Sequence, residues 1–136
     1  MAVVFEISTA RPCECVDITD RVRSIVHESG TDAGLCHVAV LHATAAIVVN
    51  ENDDPNIGVD LLSALDRMIP EHAGWLHDRV DNNAAAHIKA AILGPAETLP
   101  VENGDLLLGT WQGIMLVELD GPRAGRRVAV TIIPGE

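Results

Sequence analysis

Tyrosine is absent from this 136-residue chain, and one phenylalanine and two tryptophans are its only other large aromatic residues. The core must therefore be aliphatic, drawn from the Val, Ile, Leu and Ala that dominate a 48% hydrophobic content. Basic residues are scarce too. Nine Lys and Arg face twenty Asp and Glu, for a formal charge of −11, and no basic group exceeds Arg123, Arg126 and Arg127. Such a surface repels phosphate backbones, which argues against a nucleic-acid partner, and it raises the local concentration of metal cations. No apolar run approaches the roughly 20 residues of a membrane span, so no membrane is expected. Residues Met1–Glu6 carry no basic leader region. Cysteine is limited to Cys13, Cys15 and Cys36, an odd number that makes no disulfide framework. A cytoplasmic location is the expectation.

What is present reads as a single domain over residues 1–136, long enough to bury a core without staples. A mean hydropathy of +0.22 leaves apolar surface over, which favours an oligomer. Strands are expected over 2–8, 13–18, 34–41, 44–50 and 97–101. Asn103-Gly104 then signals a type I′ hairpin into 105–110, followed by strands over 113–119 and 126–133. A first helix should run from about 20 to 29, with Thr19 as its cap and Gly30 as its stop. Asp53-Asp54-Pro55 opens a second, with Ile57, Leu61, Leu65 and Met68 as its stripe, helped by Leu62 and Ile69. Residues 71–80 read as irregular. A third helix, capped by Asp81 or Asn82, ends near Leu93 before Gly94-Pro95. Strands joined by hairpins with helices inserted make an α+β fold with a mostly antiparallel sheet.

The unusual feature is polar chemistry at the ends of an apolar strand. His42 and Thr44 stand at one end of the run from Ala45 to Val49, and Asn50, Glu51, Asn52, Asp53 and Asp54 at the other. Asn83 and His87 are four apart and share one helix face, kept free of bulk by three alanines. Lys89 follows two residues on. Gln112 is an amide in an apolar stretch and would need partners if buried. These stretches are expected to converge on one site. The candidate catalytic or binding residues are His42, Thr44, Glu51, Asn83, His87, Lys89 and Gln112. No two histidines have a local metal-binding spacing, yet His42, His77 and His87 assembled in space would leave a divalent ion one open position. The bland alternatives are core histidines bonded to carbonyls, and an asparagine that merely caps. Asp53 and Asp54 are better explained as capping acids, and His37 has no polar neighbour in sequence.

Together these blocks resemble the YjbQ family, associated with secondary thiamine-phosphate synthase activity. The carrying residues are His42-Ala43-Thr44-Ala45-Ala46, Asn50-Glu51-Asn52, Ala86-His87-Ile88-Lys89-Ala90, Gly109-Thr110-Trp111-Gln112-Gly113 and Asp120-Gly121-Pro122-Arg123. The resemblance implies an antiparallel β-sandwich with about three helices, packed as a homotrimer around a threefold axis. It implies a histidine site, onto which His42, His77 and His87 map, holding a divalent metal: zinc, or magnesium for pyrophosphate chemistry. The implied reaction joins hydroxymethylpyrimidine pyrophosphate to thiazole phosphate, as a weak or side activity on phosphorylated metabolites. The alternative is a non-catalytic trimeric protein that binds a metal or small metabolite. Two departures touch activity: Ala43 stands where the family usually has Ser or Thr, and Ala85 where it commonly has Asp.

Overall fold

The computed structural model describes residues 1–136 as eight strands and three α-helices. In chain order they are β1 (Ala2–Ile7), β2 (Glu14–Asp17), α1 (Thr19–Ser29), β3 (Gly34–Val40), β4 (Ala45–Glu51) and α2 (Pro55–Met68). After them come α3 (Ala84–Leu93), β5 (Ala96–Glu102), β6 (Asp105–Leu106), β7 (Gln112–Glu118) and β8 (Arg126–Pro134). A 3₁₀ turn at Leu76–Arg79 interrupts the segment expected to be irregular.

All strand pairings are antiparallel, in a five-stranded sheet ordered β1-β8-β3-β5-β6 and a three-stranded sheet ordered β2-β7-β4. Strand side chains alternate between faces. Val38, Val40, Val128 and Val130 from the first sheet therefore meet Ala45, Ile47, Ile114 and Leu116 from the second in one aliphatic core. Its single aromatic residue is Phe5. α1 inserts Val22 and Val26 into the same core. On the other face of the three-stranded sheet, Ala46, Val117 and Leu119 pack against Ala86 and Ala90 of α3, with Leu62 of α2 beside them. Each fully buried Val or Ile contributes roughly 1.5–3 kcal/mol, so the two apolar layers carry most of the fold.

Within this three-layer order β7, apolar on both faces, is sheltered by the opposite sheet on one side and by helices on the other. The bare surface is the outward face of the five-stranded sheet, where Val4, Leu35, Leu41 and Ile133 are exposed. His37 lies on that sheet with a polar neighbour that sequence adjacency did not reveal, Thr98 Oγ1 at 2.9 Å from its Nδ1.

Local signals set most boundaries. Asp54 Oδ1 accepts the Asn56 N–H at 2.9 Å, and Pro55 occupies the first turn of α2. The buried side of that helix centres on Leu65 with Ile69 just beyond it, while Met68 is exposed. Asn103 and Gly104 both have positive φ, 53° and 75°, as a type I′ turn requires. The strand after it is only Asp105–Leu106. Thr19 does not cap α1; its hydroxyl donates to Asp17 Oδ1 at 2.6 Å and accepts from the Ile114 N–H at 2.9 Å.

Candidate functional site

The His42 end of β4 is built on a buried ion pair. Glu118, the last residue of β7, is 0% exposed, and Arg126, the first of β8, is 3% exposed. Thr9 donates its hydroxyl to Glu118 Oε1 at 2.7 Å, Arg126 Nε donates to the same oxygen at 2.9 Å, and Arg126 Nη2 donates to Oε2. The Leu119 and Asp120 amides both donate to Oε2 at 3.0 Å. Burial alone would raise the Glu118 carboxyl, but the hydrogen bonds from Arg126 and Thr9 outweigh it and hold the group below the ordinary glutamate value. Arg126 Nη2 also donates to Thr44 Oγ1 at 2.9 Å. Thr44 is therefore a buried anchor of the turn, not a group facing a ligand.

That anchor holds His42. The Leu41 N–H donates to the Arg127 carbonyl at 3.0 Å, and the Arg127 N–H donates to His42 Nε2 at 2.8 Å. A backbone amide can only donate, so Nε2 must be unprotonated and the neutral ring carries its proton on Nδ1. Partial burial and the charges of Arg126 and Arg127 lower the His42 pKa below its usual 6.5. At neutral pH the ring is thus an uncharged, oriented hydrogen-bond donor.

His42 and His87 line one cleft of about 320 Å³ with Ala43, Ala45, Ala90 and Pro95. α3 places His87 there because alanines at its buried positions let the helix lie close to the sheet. No hydrogen bond engages either ring nitrogen of His87, and its ring stands edge-on to that of His77, with centroids 4.7 Å apart and planes at 87°. His77 Nε2 lies 3.6 Å from Asp81 Oδ2. The histidine stretches thus do come together, but the Nε2 lone pair of His42 is already engaged. No group of three His, Cys, Asp or Glu side chains is arranged to hold a metal ion.

The remaining candidates lie elsewhere. β4 and β7 pair from Ala45↔Glu118 to Glu51↔Gln112, so Glu51 and Gln112 sit at the opposite end of the sheet, roughly 20 Å away at about 3.3 Å per residue. Gln112 is exposed, and its Oε1 closes the local loop by accepting the Gly109 N–H at 2.8 Å. Trp111 beside it is 60% exposed. The expected convergence of three stretches therefore reduces to two. Lys89 is about 200° around the helix from His87, and its buried ammonium pairs with Asp66 of α2. Asn83 turns to Asp120, donating Nδ2–H to Oδ2 at 2.9 Å. Neither Asn82 nor Asp81 caps α3; Asp78 Oδ1 does, accepting the Ala84 N–H at 2.9 Å. Cys13 and Cys15 are thiols raised by burial, and Cys36 is pushed up to about 11 by the same cause, so none is poised as a nucleophile.

Sequence reasoning passed over Glu118 and Asp78, and took Arg126 only as part of the small basic group. The Glu118–Arg126 pair left a signal: a lone carboxylate within Ile-Met-Leu-Val-Glu-Leu and a basic residue opening the last strand. Two opposite charges in apolar strands imply each other when buried.

With the fold and cleft established, comparison with known proteins gives a consistent result. The family model described as UPF0047 protein YjbQ-like matches residues 3–135. A UPF0047 protein of Methanothermobacter thermautotrophicus is 42% identical over 124 residues, covering 91% of this chain and 85% of the relative. The UPF0047 protein YugU of Bacillus subtilis is 39% identical over 126 residues, covering 90% and 92%. Among solved structures, a YbjQ-like protein of unknown function from Sulfolobus solfataricus superposes with a TM-score of 0.95 at 43% identity, covering 99% of this chain and 97% of that one. The expected reading as a metal-binding, thiamine-phosphate-synthase-like protein is thereby corrected. The relatives are described only as UPF0047 proteins, and this structural neighbour as of unknown function, so no synthase activity or metal transfers from them.

Proposed function

We propose, starting from the fact that this chain belongs to the YjbQ-like UPF0047 family, that its His42–His87 cleft binds a small carbonyl compound and moves a proton on it. The observation that carries this reading is the locked His42 ring, whose Nε2 accepts the Arg127 amide and leaves Nδ1–H as the donor. A neutral imidazole donor can hydrogen-bond a carbonyl oxygen and stabilise the charge that grows there. His87, unengaged at both ring nitrogens, then takes a proton from the adjacent carbon while the C–H electron pair moves toward that oxygen; returning the proton completes the cycle. The alanine and proline walls suit a short aliphatic body.

The test uses pyruvate and 2-butanone in deuterated water. The protein should accelerate deuterium entry beside the carbonyl, and His87→Ala should lose that acceleration while staying folded, since alanine favours the helix. Nitrogen-15 spectra should report His42 as the Nδ1–H tautomer. An Nε2–H tautomer, or no exchange with either compound, rejects the reading.

Self-association as a homotrimer belongs to the same proposal. It is supported by the uncovered outward face of the five-stranded sheet with Val4, Leu35, Leu41 and Ile133 exposed. Light scattering that finds a monomer at micromolar concentration rejects it. A cytoplasmic location is also proposed, supported by three free thiols; no helix is long and apolar enough to cross a membrane.

A further inference from the structure

A second and much smaller cavity, about 40 Å³, lies at the start of α3, lined by Glu71, His72, Asp78, Asn83 and Asp120 with Ala86 and Leu119 as apolar wall. Its chemistry is one-sided. Asp78 Oδ1 accepts the Ala84 N–H, but Asp78 Oδ2 is sealed from solvent and has no donor. Asn83 donates Nδ2–H to Asp120 Oδ2, which fixes the orientation of the amide, because the flipped form would set its oxygen against a carboxylate. Its own Oδ1 is likewise sealed and without a donor. The cation nearest to hand is already engaged: Arg123 Nη2 bonds Asp120 Oδ2 at 2.9 Å. His72 Nδ1 stands 3.9 Å from Asp78 Oδ2, too far for a hydrogen bond. Buried acceptors left without donors are rare, and each calls for an explanation.

The polarity of the space selects its occupant. It is large enough to take a water-sized group against Asp78 and Asn83. Unpaired acceptor oxygens exclude an anion, and the carboxylates at 71 and 78, unlike Asp120 with its Arg123 partner, favour a positive donor over a neutral one. A metal ion would need several ligands converging at roughly 2.0–2.6 Å, and no such set of three acidic, His or Cys side chains exists. N–H···O contacts are longer, at about 2.7–3.2 Å, and an ammonium brings three donors. We propose that this cavity is a binding site for the protonated amino group of a small primary amine. Asp78 Oδ2 and Asn83 Oδ1 accept two of its N–H bonds, and its carbon leaves past the exposed His72. The site is independent of the His42–His87 cleft and stands or falls without it.

Methylammonium chloride is the probe, with tetramethylammonium, equally charged but without N–H, as its control at matched ionic strength. Amide spectra should shift saturably at millimolar methylammonium, at residues 78–86 and 119–120, and stay unmoved with tetramethylammonium. Asp78→Asn keeps the oxygen that caps Ala84 but puts its own NH₂ into the cavity. It should weaken methylammonium binding roughly tenfold or more and melt no lower than wild type. His72→Ala keeps both acceptors and should bind as tightly as wild type. Three results overturn the proposal: equal shifts from both cations or none, unchanged binding in Asp78→Asn, or loss of binding in His72→Ala. A crystal structure grown in methylammonium with only water, or the His72 ring, in the cavity overturns it as well.

Discussion

Glu118 is wholly buried and Asp78 hides one carboxylate oxygen from solvent, and the fold treats them in opposite ways. Around Glu118 every oxygen is matched: Thr9, Arg126 and two backbone amides donate to it, and Arg126 in turn reaches Thr44. At Asp78 one oxygen caps a helix and the other has no donor. A closed polar network fixes geometry, here the turn that aims His42; an open one leaves chemistry available. The lesson is that burial alone does not mark a functional carboxylate. The unmatched acceptor does.

This contrast can be broken most sharply at Arg126. Arg126→Ala strands a buried Glu118, so denaturant unfolding should show a loss of about 3–5 kcal/mol. A loss under 1 kcal/mol would mean that the pair is not sealed. Acid supplies the next effect. The folded pKa of Glu118 is depressed, so its contribution is present above the ordinary value of 4.5 and fades as pH falls through the lower folded value. The folded pKa of His42 is depressed too, which adds stability fully present above 6.5 and lost as pH falls below it. Unfolding midpoints followed from pH 7 to pH 4 should therefore fall throughout, and His42→Ala should flatten the upper part of that curve. At pH 7 His42→Ala itself should cost about 1 kcal/mol, because the Arg127 amide loses its acceptor. The smallest effect belongs to Asp78→Asn, expected within about 1 kcal/mol of wild type, since the oxygen that caps Ala84 is kept and a sealed, unmatched carboxylate oxygen is removed. If that change instead cost as much as Arg126→Ala, the two carboxylates would be alike and the contrast would fail.

Most of the fold was legible because its signals are local. Asp54-Pro55 starting α2, Asn103-Gly104 turning the hairpin and the β-branched run at 45–49 each decide their structure within a few residues. The site was half legible. His42 and His87 declared themselves as polar groups on apolar elements, and they do share a cleft. Gln112 misled because an amide between apolar strands looks buried, whereas it sits at a loop edge and bonds back to Gly109. Lys89 misled for a different reason: proximity in sequence to His87 hides a turn of the helix that carries it to Asp66. Glu118 and Arg126 meet only through tertiary packing, and Asp78 caps α3 from six residues upstream, so neither relation has a spacing to recognise.

The position of β8 bears on how this chain is made. It lies between β1 and β3, and β1 has no other partner in its sheet. β1 must therefore wait, unpaired, until residues 126–134 have followed it. Until then Val3 and Val4 lie on a strand with both edges open, the condition under which chains pair with one another. Folding must then close a loop of more than a hundred residues, a contact order that slows the reaction. A chain stalled on the ribosome just short of Arg126 would hold α3, the helix of the cleft, and lack both pairings of β8, with β1 and with β3.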